Sequence, residues 1–293
     1  MNIAVIGLGL IGGSFALAAK KHLTEVELFG GDKNPNHLKE AIEKQIIDHE
    51  LLSEHIPQMD VIIMAIPVDV AAKLVLELLD QINDNALLFD AGSTKSSICN
   101  AVALHPKRNQ FLGTHPIAGT EFSGPSAAFP DLYVNQTQIL CETQKTRPDL
   151  LEWAMQFFRS MDMQIQEMDP LSHDQHIAYV SHISHISSFM LGKTVMEKEE
   201  DERTIFDMAG SGFASTVRLA KSSPQMWTPI FKQNNENILE VLGEYIANLE
   251  QFKSLLESKN WAALFRQMEE INSIKTILEG IPEGKNINKT NTI

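Results

Sequence analysis

The first fourteen residues, MNIAVIGLGLIGGS, constrain the fold more than any other stretch of the chain. Residues 3–6 form an apolar run that reads as a strand. Gly7, Leu8, Gly9, Leu10, Ile11 and Gly12 then spell G-x-G-x-x-G, and residues 14–20 read as a helix. The order strand, tight turn, helix is what gives this motif chemical meaning. Gly7 permits the turn, Gly9 carries no side chain to hold a pyrophosphate off the backbone, and Gly12 lets helix and strand pack closely. The helix N-terminus, at Leu10 and Ile11, turns free N–H groups and a positive dipole end toward the phosphates. The chain therefore opens as a dinucleotide site.

The pattern that follows extends this start into a fold class. Strand-like segments at 25–30, 61–66, 86–90, 110–113 and 137–142 alternate with helical patterns, notably 38–44 and 70–81. Alternation of this kind predicts an α/β, Rossmann-type, doubly wound and mostly parallel sheet over residues 1–169. From about Pro170 strand signals stop, and long helical patterns occupy 174–196, 204–220, 224–256 and 260–278. Residues 170–280 are expected to be an all-α domain for substrate and dimerisation, and the polar residues 281–293 a flexible tail. A chain of 293 residues suits two such domains. Ile238, Leu239, Leu242, Ile246 and Leu249 share one face of a long amphipathic helix. A helical domain of this size buries such a face most readily against a second copy, so a homodimer is expected.

Charge and cysteine usage narrow the partners. With 24 Lys+Arg against 38 Asp+Glu the net charge is −14, which disfavours nucleic acid and anionic membranes. No apolar run approaches the roughly 18 residues of a membrane span. Cys99 and Cys141 have no metal or redox spacing and suit a reducing cytoplasm. An anionic substrate would need local cations in so acidic a chain.

Asp32 lies 20 residues past Gly12, after the second strand. An acid there accepts hydrogen bonds from ribose hydroxyls and repels a 2′-phosphate, which favours NAD over NADP, although Lys33 beside it weakens the preference. Pro67, in Ala65–Ile66–Pro67–Val68, follows another strand and lies on the edge where open α/β sheets bind ligands. Ser93 and Thr94, in Asp90–Ala91–Gly92–Ser93–Thr94–Lys95, share that edge and can also cap the next helix. His115 follows a fifth strand and is stiffened by Pro116, within reach of a nicotinamide. His182 and His185 share a helix face, but no carboxylate completes a ligand set, so no metal is expected.

These segments together resemble the prephenate dehydrogenase family, which includes arogenate and cyclohexadienyl dehydrogenases of tyrosine biosynthesis. The matching pieces are GLGLIGGS at 7–14, AIPV at 65–68, DAGSTK at 90–95 and THPIAGTEFSGP at 114–125. HDQHIAYVSHISH at 173–185 and GFASTVRLAKSSPQMW at 212–227 continue the match through the helical half. The resemblance implies oxidative decarboxylation of a small anionic substrate, prephenate, with hydride transfer to NAD⁺. Arogenate is the alternative within the family, and a β-hydroxyacid-type dehydrogenase the alternative outside it. It further implies His115 as the catalytic histidine, Ser93 as the serine that orients it, and Arg218 as the grip on a substrate carboxylate. By the same resemblance His185 contacts substrate, Glu121 gates the pocket mouth and Trp227 is an aromatic near the substrate. Two positions depart from the family pattern: Ser184 stands where a proline is usual, and Ser215 where an aspartate often precedes the arginine.

Overall fold

The structure, a computed structural model, describes residues 1–120, 122–202 and 204–279; the expected tail at 281–293 lies outside the described residues. It divides into two units, Met1–Leu239 and Glu240–Ile293.

The first unit is built on an eight-stranded sheet. Its strands are β1 (Asn2–Ile6), β2 (Glu27–Gly31), β3 (His49–Glu50), β4 (Val61–Met64), β5 (Leu87–Asp90), β6 (Phe111–Ile117), β7 (Thr137–Cys141) and β8 (Gln164–Met168). They lie in the order β3-β2-β1-β4-β5-β6-β7-β8, and every pairing is parallel except β6 with β7. Helices α1 (Leu10–His22), α2 (Pro35–Glu43), α3 (Val68–Gln81), α4 (Ser96–Val102) and α5 (Pro148–Ser160) connect the strands. One apolar cluster, with Phe15, Phe89, Tyr133, Phe157 and Phe158, covers one set of sheet side chains; a second, with Ile62, Val75, Leu88 and Phe111, covers another. The strand order reverses at β1 and β4, which makes their carboxyl ends the natural ligand crevice.

Two strands escape the sequence pattern. β3 has two residues, and β8, QIQEM, is a polar edge strand with no fully buried position. β6 also runs four residues beyond its expected end at Gly113, because Pro116 does not stop it. Pairing with β5 ends at Asp90↔Gly113, so Thr114–Ile117 pair with β7 alone. Proline is tolerated where one side of a strand has no partner. His115 therefore sits inside a strand, opposite Ile139, and not in a turn.

The helical stretch begins with α6 (Pro170–Ile177), passes through a π-helical turn, Ala178–His182, and continues as α7 (Ile183–Glu202). The expected helix at 204–220 is broken. A 3-10 turn, Phe206–Met208, precedes α8 (Ser211–Thr216), and a second, Arg218–Lys221, follows it. Gly210 and Gly212 lower helix propensity there. The helix at 224–256 is likewise two, α9 (Pro224–Gln233) and α10 (Asn235–Glu257), parted at Asn234. In the second unit α10 continues into α11 (Trp261–Ile271) and α12 (Ile274–Glu279). Of the apolar face seen in the sequence, Ile238 is buried while Leu239, Ile246 and Leu249 are exposed.

Candidate functional site

The glycine turn is shaped by close approach. Gly7 has φ +94°, and a Cβ there would stand 2.3 Å from the Ala65 carbonyl oxygen. A Cβ at Gly12 would stand 1.9 Å from the Gly7 oxygen. Neither position admits a side chain, and both lock β1 to α1 and to the segment after β4. A Cβ at Gly9, in contrast, meets nothing within 4 Å, so the backbone there faces open space. Gly9 also precedes the helix N-terminus at Leu10 without a side-chain cap, which leaves its N–H groups available. This cradle fits a pyrophosphate.

Asp32, at the end of β2, is partly buried. Its Oδ2 accepts from Leu8 N at 2.8 Å and its Oδ1 from Asn34 N at 2.8 Å, with His37 Nδ1 3.6 Å from Oδ2. The carboxylate thus ties the glycine turn to β2. Each oxygen keeps a further lone pair for a ribose hydroxyl. The residues present fit a dinucleotide at both its phosphates and its ribose.

On the neighbouring strands, a buried ion pair fixes the edge of the site. Lys95 Nζ donates to Asp90 Oδ2 and, at 2.6 Å, to the Thr114 carbonyl. Asp90 also accepts from Gly92 N at 2.9 Å and from Thr114 N at 3.2 Å. The turn carrying Ser93 and the strand carrying His115 are therefore pinned to each other. Removing one partner of so buried a pair leaves an uncompensated charge.

His115 is buried, and its Nδ1 lies 2.8 Å from Nε2 of His173. His173 Nδ1 in turn lies 2.8 Å from Oδ1 of Asp174. Asp174 also accepts from Lys95 N at 2.7 Å and Ser96 N at 2.8 Å, so α6 docks on the start of α4. Burial opposes the charge on Asp174, yet the bonds from His173, Lys95 and Ser96 hold its carboxyl below the usual range. Burial, then the nearby His173, Lys95 and His182, keeps His115 well below the ordinary histidine value. It is a neutral imidazole at physiological pH.

The helical side meets this centre through Asn234. Its Nδ2 donates to the Asp174 carbonyl at 2.6 Å and lies 3.1 Å from His182 Nδ1. His182 Nδ1 is then an acceptor and Nε2 carries the proton, buried and without a partner among the described residues. Trp227 Nε1 is buried and unpartnered in the same sense. Burial pushes His182 down to about 4, with Asp174 opposing. His185 stacks on Trp227 with ring centroids 3.5 Å apart and donates through Nδ1 to the Ser181 carbonyl at 3.0 Å. Burial and the charge of Arg218 both lower its pKa against that carbonyl's pull, which puts Arg218 near it. Trp227 packs with Ile230 on Val68, next to Pro67. Gln233 donates to the Val68 carbonyl at 2.8 Å and accepts from Thr94 Oγ1 at 2.6 Å.

Sequence reasoning singled out His115, Ser93, His185, Arg218, Trp227, Pro67 and the glycine turn, and all lie within the first unit; Glu121 lies outside the described residues. Ser93 stands in the turn after β5, next to the strand of His115. His173, Asp174, Lys95 and Asn234 were missed. The adjacent acid and imidazole in His173–Asp174, at the head of the helical half, was the available signal. Among the described residues no group of three or more His, Cys, Asp or Glu is placed to hold a metal ion.

Residues 15–167 match the family model of the prephenate dehydrogenase nucleotide-binding domain, and residues 169–270 that of the prephenate dehydrogenase dimerization domain. Prephenate dehydrogenase of Bacillus subtilis (strain 168) is 31% identical over 285 residues, 96% of this chain and 76% of that protein. The structure of prephenate dehydrogenase from A. aeolicus in complex with hydroxyphenyl propionate and NAD⁺ has a TM-score of 0.87 at 27% identity, covering 95% of this chain and 98% of that one. Synechocystis arogenate dehydrogenase has a TM-score of 0.76 at 26% identity, covering 95% of this chain and 100% of that one. With both halves matched and a relative above 30% identity aligned over 96% of this chain, the chain belongs to the prephenate dehydrogenase family of oxidoreductases.

Proposed function

We propose that this chain oxidises prephenate with NAD⁺ and releases the ring carboxylate as CO₂, giving 4-hydroxyphenylpyruvate. The observation that carries the reading is His115: a buried, neutral imidazole beside the carboxyl end of β5, in the same unit as the glycine cradle. NAD⁺, when bound, supplies the hydride acceptor. Gly7, Gly9 and Gly12, with the N–H groups at Leu10 and Ile11, would hold its pyrophosphate, Asp32 its ribose, and Pro67 would line the same crevice.

His115 takes the proton of the ring hydroxyl as that carbon is oxidised. An imidazole held uncharged by burial has its lone pair free to accept that proton. Ser93, in the adjoining turn, orients the imidazole. Arg218 holds a substrate carboxylate, with the two N–H donors of a guanidinium matched to its two oxygens. His185, stacked on Trp227, contacts the same substrate. The unpartnered N–H groups of His182 and Trp227 offer further donors to an anion's oxygens. Loss of CO₂ aromatises the ring and makes the step strongly downhill, so the protein need only position, deprotonate and exclude water.

The active molecule is a homodimer built on residues 240–279, where Trp261 is 57% and Phe265 62% exposed in the single chain. Among the described residues no helix is long and apolar enough to cross a membrane.

Steady-state assays with prephenate and arogenate, each with NAD⁺ and NADP⁺, test the reading. The expected result is NADH and CO₂ from prephenate, with the highest kcat/KM for the prephenate and NAD⁺ pair; a higher kcat/KM for arogenate overturns the substrate assignment. In a His115→Asn variant kcat falls by about 10³-fold, while NAD⁺ affinity stays within about twofold. Wild-type turnover in that variant would remove His115 from the chemistry.

A further inference from the structure

We infer that His173 and Asp174 are positioning residues that place the resting proton of His115 on Nδ1, keep Nε2 as its basic nitrogen, and make His173 the second station for the proton His115 takes up. Asp174 accepts two backbone N–H bonds, from Lys95 and Ser96, in addition to the bond with His173. A carboxylate so held is ionised and has no proton to give. The hydrogen between Asp174 and His173 therefore belongs to His173 Nδ1. In the neutral ring the other nitrogen, Nε2, is then a lone pair.

That lone pair lies 2.8 Å from His115 Nδ1. Two nitrogens at this distance need one hydrogen between them, and His173 Nε2 has none to offer. The hydrogen is on His115 Nδ1, and His115 Nε2 is left as an acceptor. Tautomer choice by the partner of the other ring nitrogen is how such histidines are set. With His173 absent, nothing described on the Nδ1 side of His115 would hold that choice.

The same chain gives the proton somewhere to go. When a hydroxyl proton reaches His115 Nε2, the O–H bond breaks, its electron pair stays on oxygen, and an N–H bond forms. His115 Nδ1 can then release its own proton to His173 Nε2. His115 ends neutral in the opposite tautomer, and the positive charge ends on His173, in contact with the Asp174 carboxylate. No atom or charge is gained or lost. Left on His115, the charge would be buried with Lys95 and His182 nearby, both of which disfavour it. Asn234 secures the arrangement from behind, through its bond to the Asp174 carbonyl.

This inference rests on the reading of His115 as the base, but its test needs no substrate. Long-range ¹H–¹⁵N spectra of histidine-labelled protein, with His115 assigned by its loss in His115→Asn, report the tautomer directly. At pH 8 the wild-type signal is expected to show a protonated Nδ1 and an unprotonated Nε2. His173→Leu, which keeps bulk and removes the acceptor, should give a mixture or the Nε2–H form. Its kcat should fall about 100-fold with substrate KM within about threefold. His173→Gln, whose amide oxygen accepts from Nδ1–H, should restore the tautomer and recover about tenfold of kcat. A wild-type His115 protonated on Nε2, or a tautomer unchanged in His173→Leu, overturns the inference. The expected tautomer in a protein that turns over neither prephenate nor arogenate upholds the positioning role and fails the proposed function instead.

Discussion

The two units of this chain use apolar side chains in opposite ways. In Met1–Leu239, Phe15, Phe89, Phe111, Tyr133, Phe157 and Phe158 are all less than 2% exposed. In residues 240–279, Trp261, Phe265, Met268, Ile271, Ile274, Ile277 and Leu278 are all between 45 and 66% exposed. A sheet covered on both faces closes its own core. A few helices cannot, and this many large apolar side chains left exposed is the composition of an interface. The first unit therefore holds the groups that need fixed geometry, whereas the second presents the surface that a second copy would cover.

The largest effect should come from breaking that cover. Leu249→Glu with Phe265→Glu places four carboxylates in a symmetric dimer and none in the core of the first unit. Burying unpaired charge costs several kcal/mol, so the dimer dissociation constant should rise by at least about 10³-fold. Sedimentation equilibrium measures it, and far-UV circular dichroism should be unchanged because both sites are exposed in the single chain. A variant that stays as dimeric as the wild type would mean that these helices face something else.

Acid should separate the units next. His182 is pushed down to about 4, and His115 and His185 are also held below 6.5, whereas residues 240–293 contain no histidine. The unfolded chain has ordinary histidines near 6.5 and binds protons that the folded chain refuses. The stability these histidines permit is complete above about pH 6.5 and falls as pH drops toward 4. For His182 alone the loss between pH 7 and pH 5 is about 2 kcal/mol. Urea melts at the two pH values measure it, and His182→Phe should flatten the slope whatever it does to the intercept. An equal slope in that variant would place the acid sensitivity elsewhere.

The contrast also explains what could be read in advance. The glycine turn, Asp32 and His115 each stand in a few consecutive residues with a strand in front, so pattern alone singles them out as candidates. Lys95 reaches the Thr114 carbonyl on β6 across 19 positions, and His173 meets His115 across 58 positions of sequence. No local periodicity encodes either contact. The expected helix at 224–256 breaks at Asn234, whose side chain bridges the Asp174 carbonyl and His182, contacts that no local pattern announces. Strand β8 was invisible because an exposed edge strand carries no apolar alternation to read.

The smallest effect is the sharpest on the cofactor, and it sets two glycines of one motif against each other. Gly12→Ala puts a Cβ 1.9 Å from the Gly7 oxygen, against backbone that cannot yield, so the fold itself should suffer and expression or Tm should drop. Gly9→Ala puts its Cβ where no protein atom lies within 4 Å, so thermal stability should stay within about 2 °C. What that methyl group would displace is the pyrophosphate. The expected result is a KM for NAD⁺ raised about tenfold, or about 1.4 kcal/mol, with kcat and the substrate KM little changed. Isothermal titration of NAD⁺ into the variant checks the binding term alone. Unchanged affinity in Gly9→Ala would show that the open face of the turn does not receive the phosphates; a large loss of Tm would show that the space is needed by the fold and not by the cofactor.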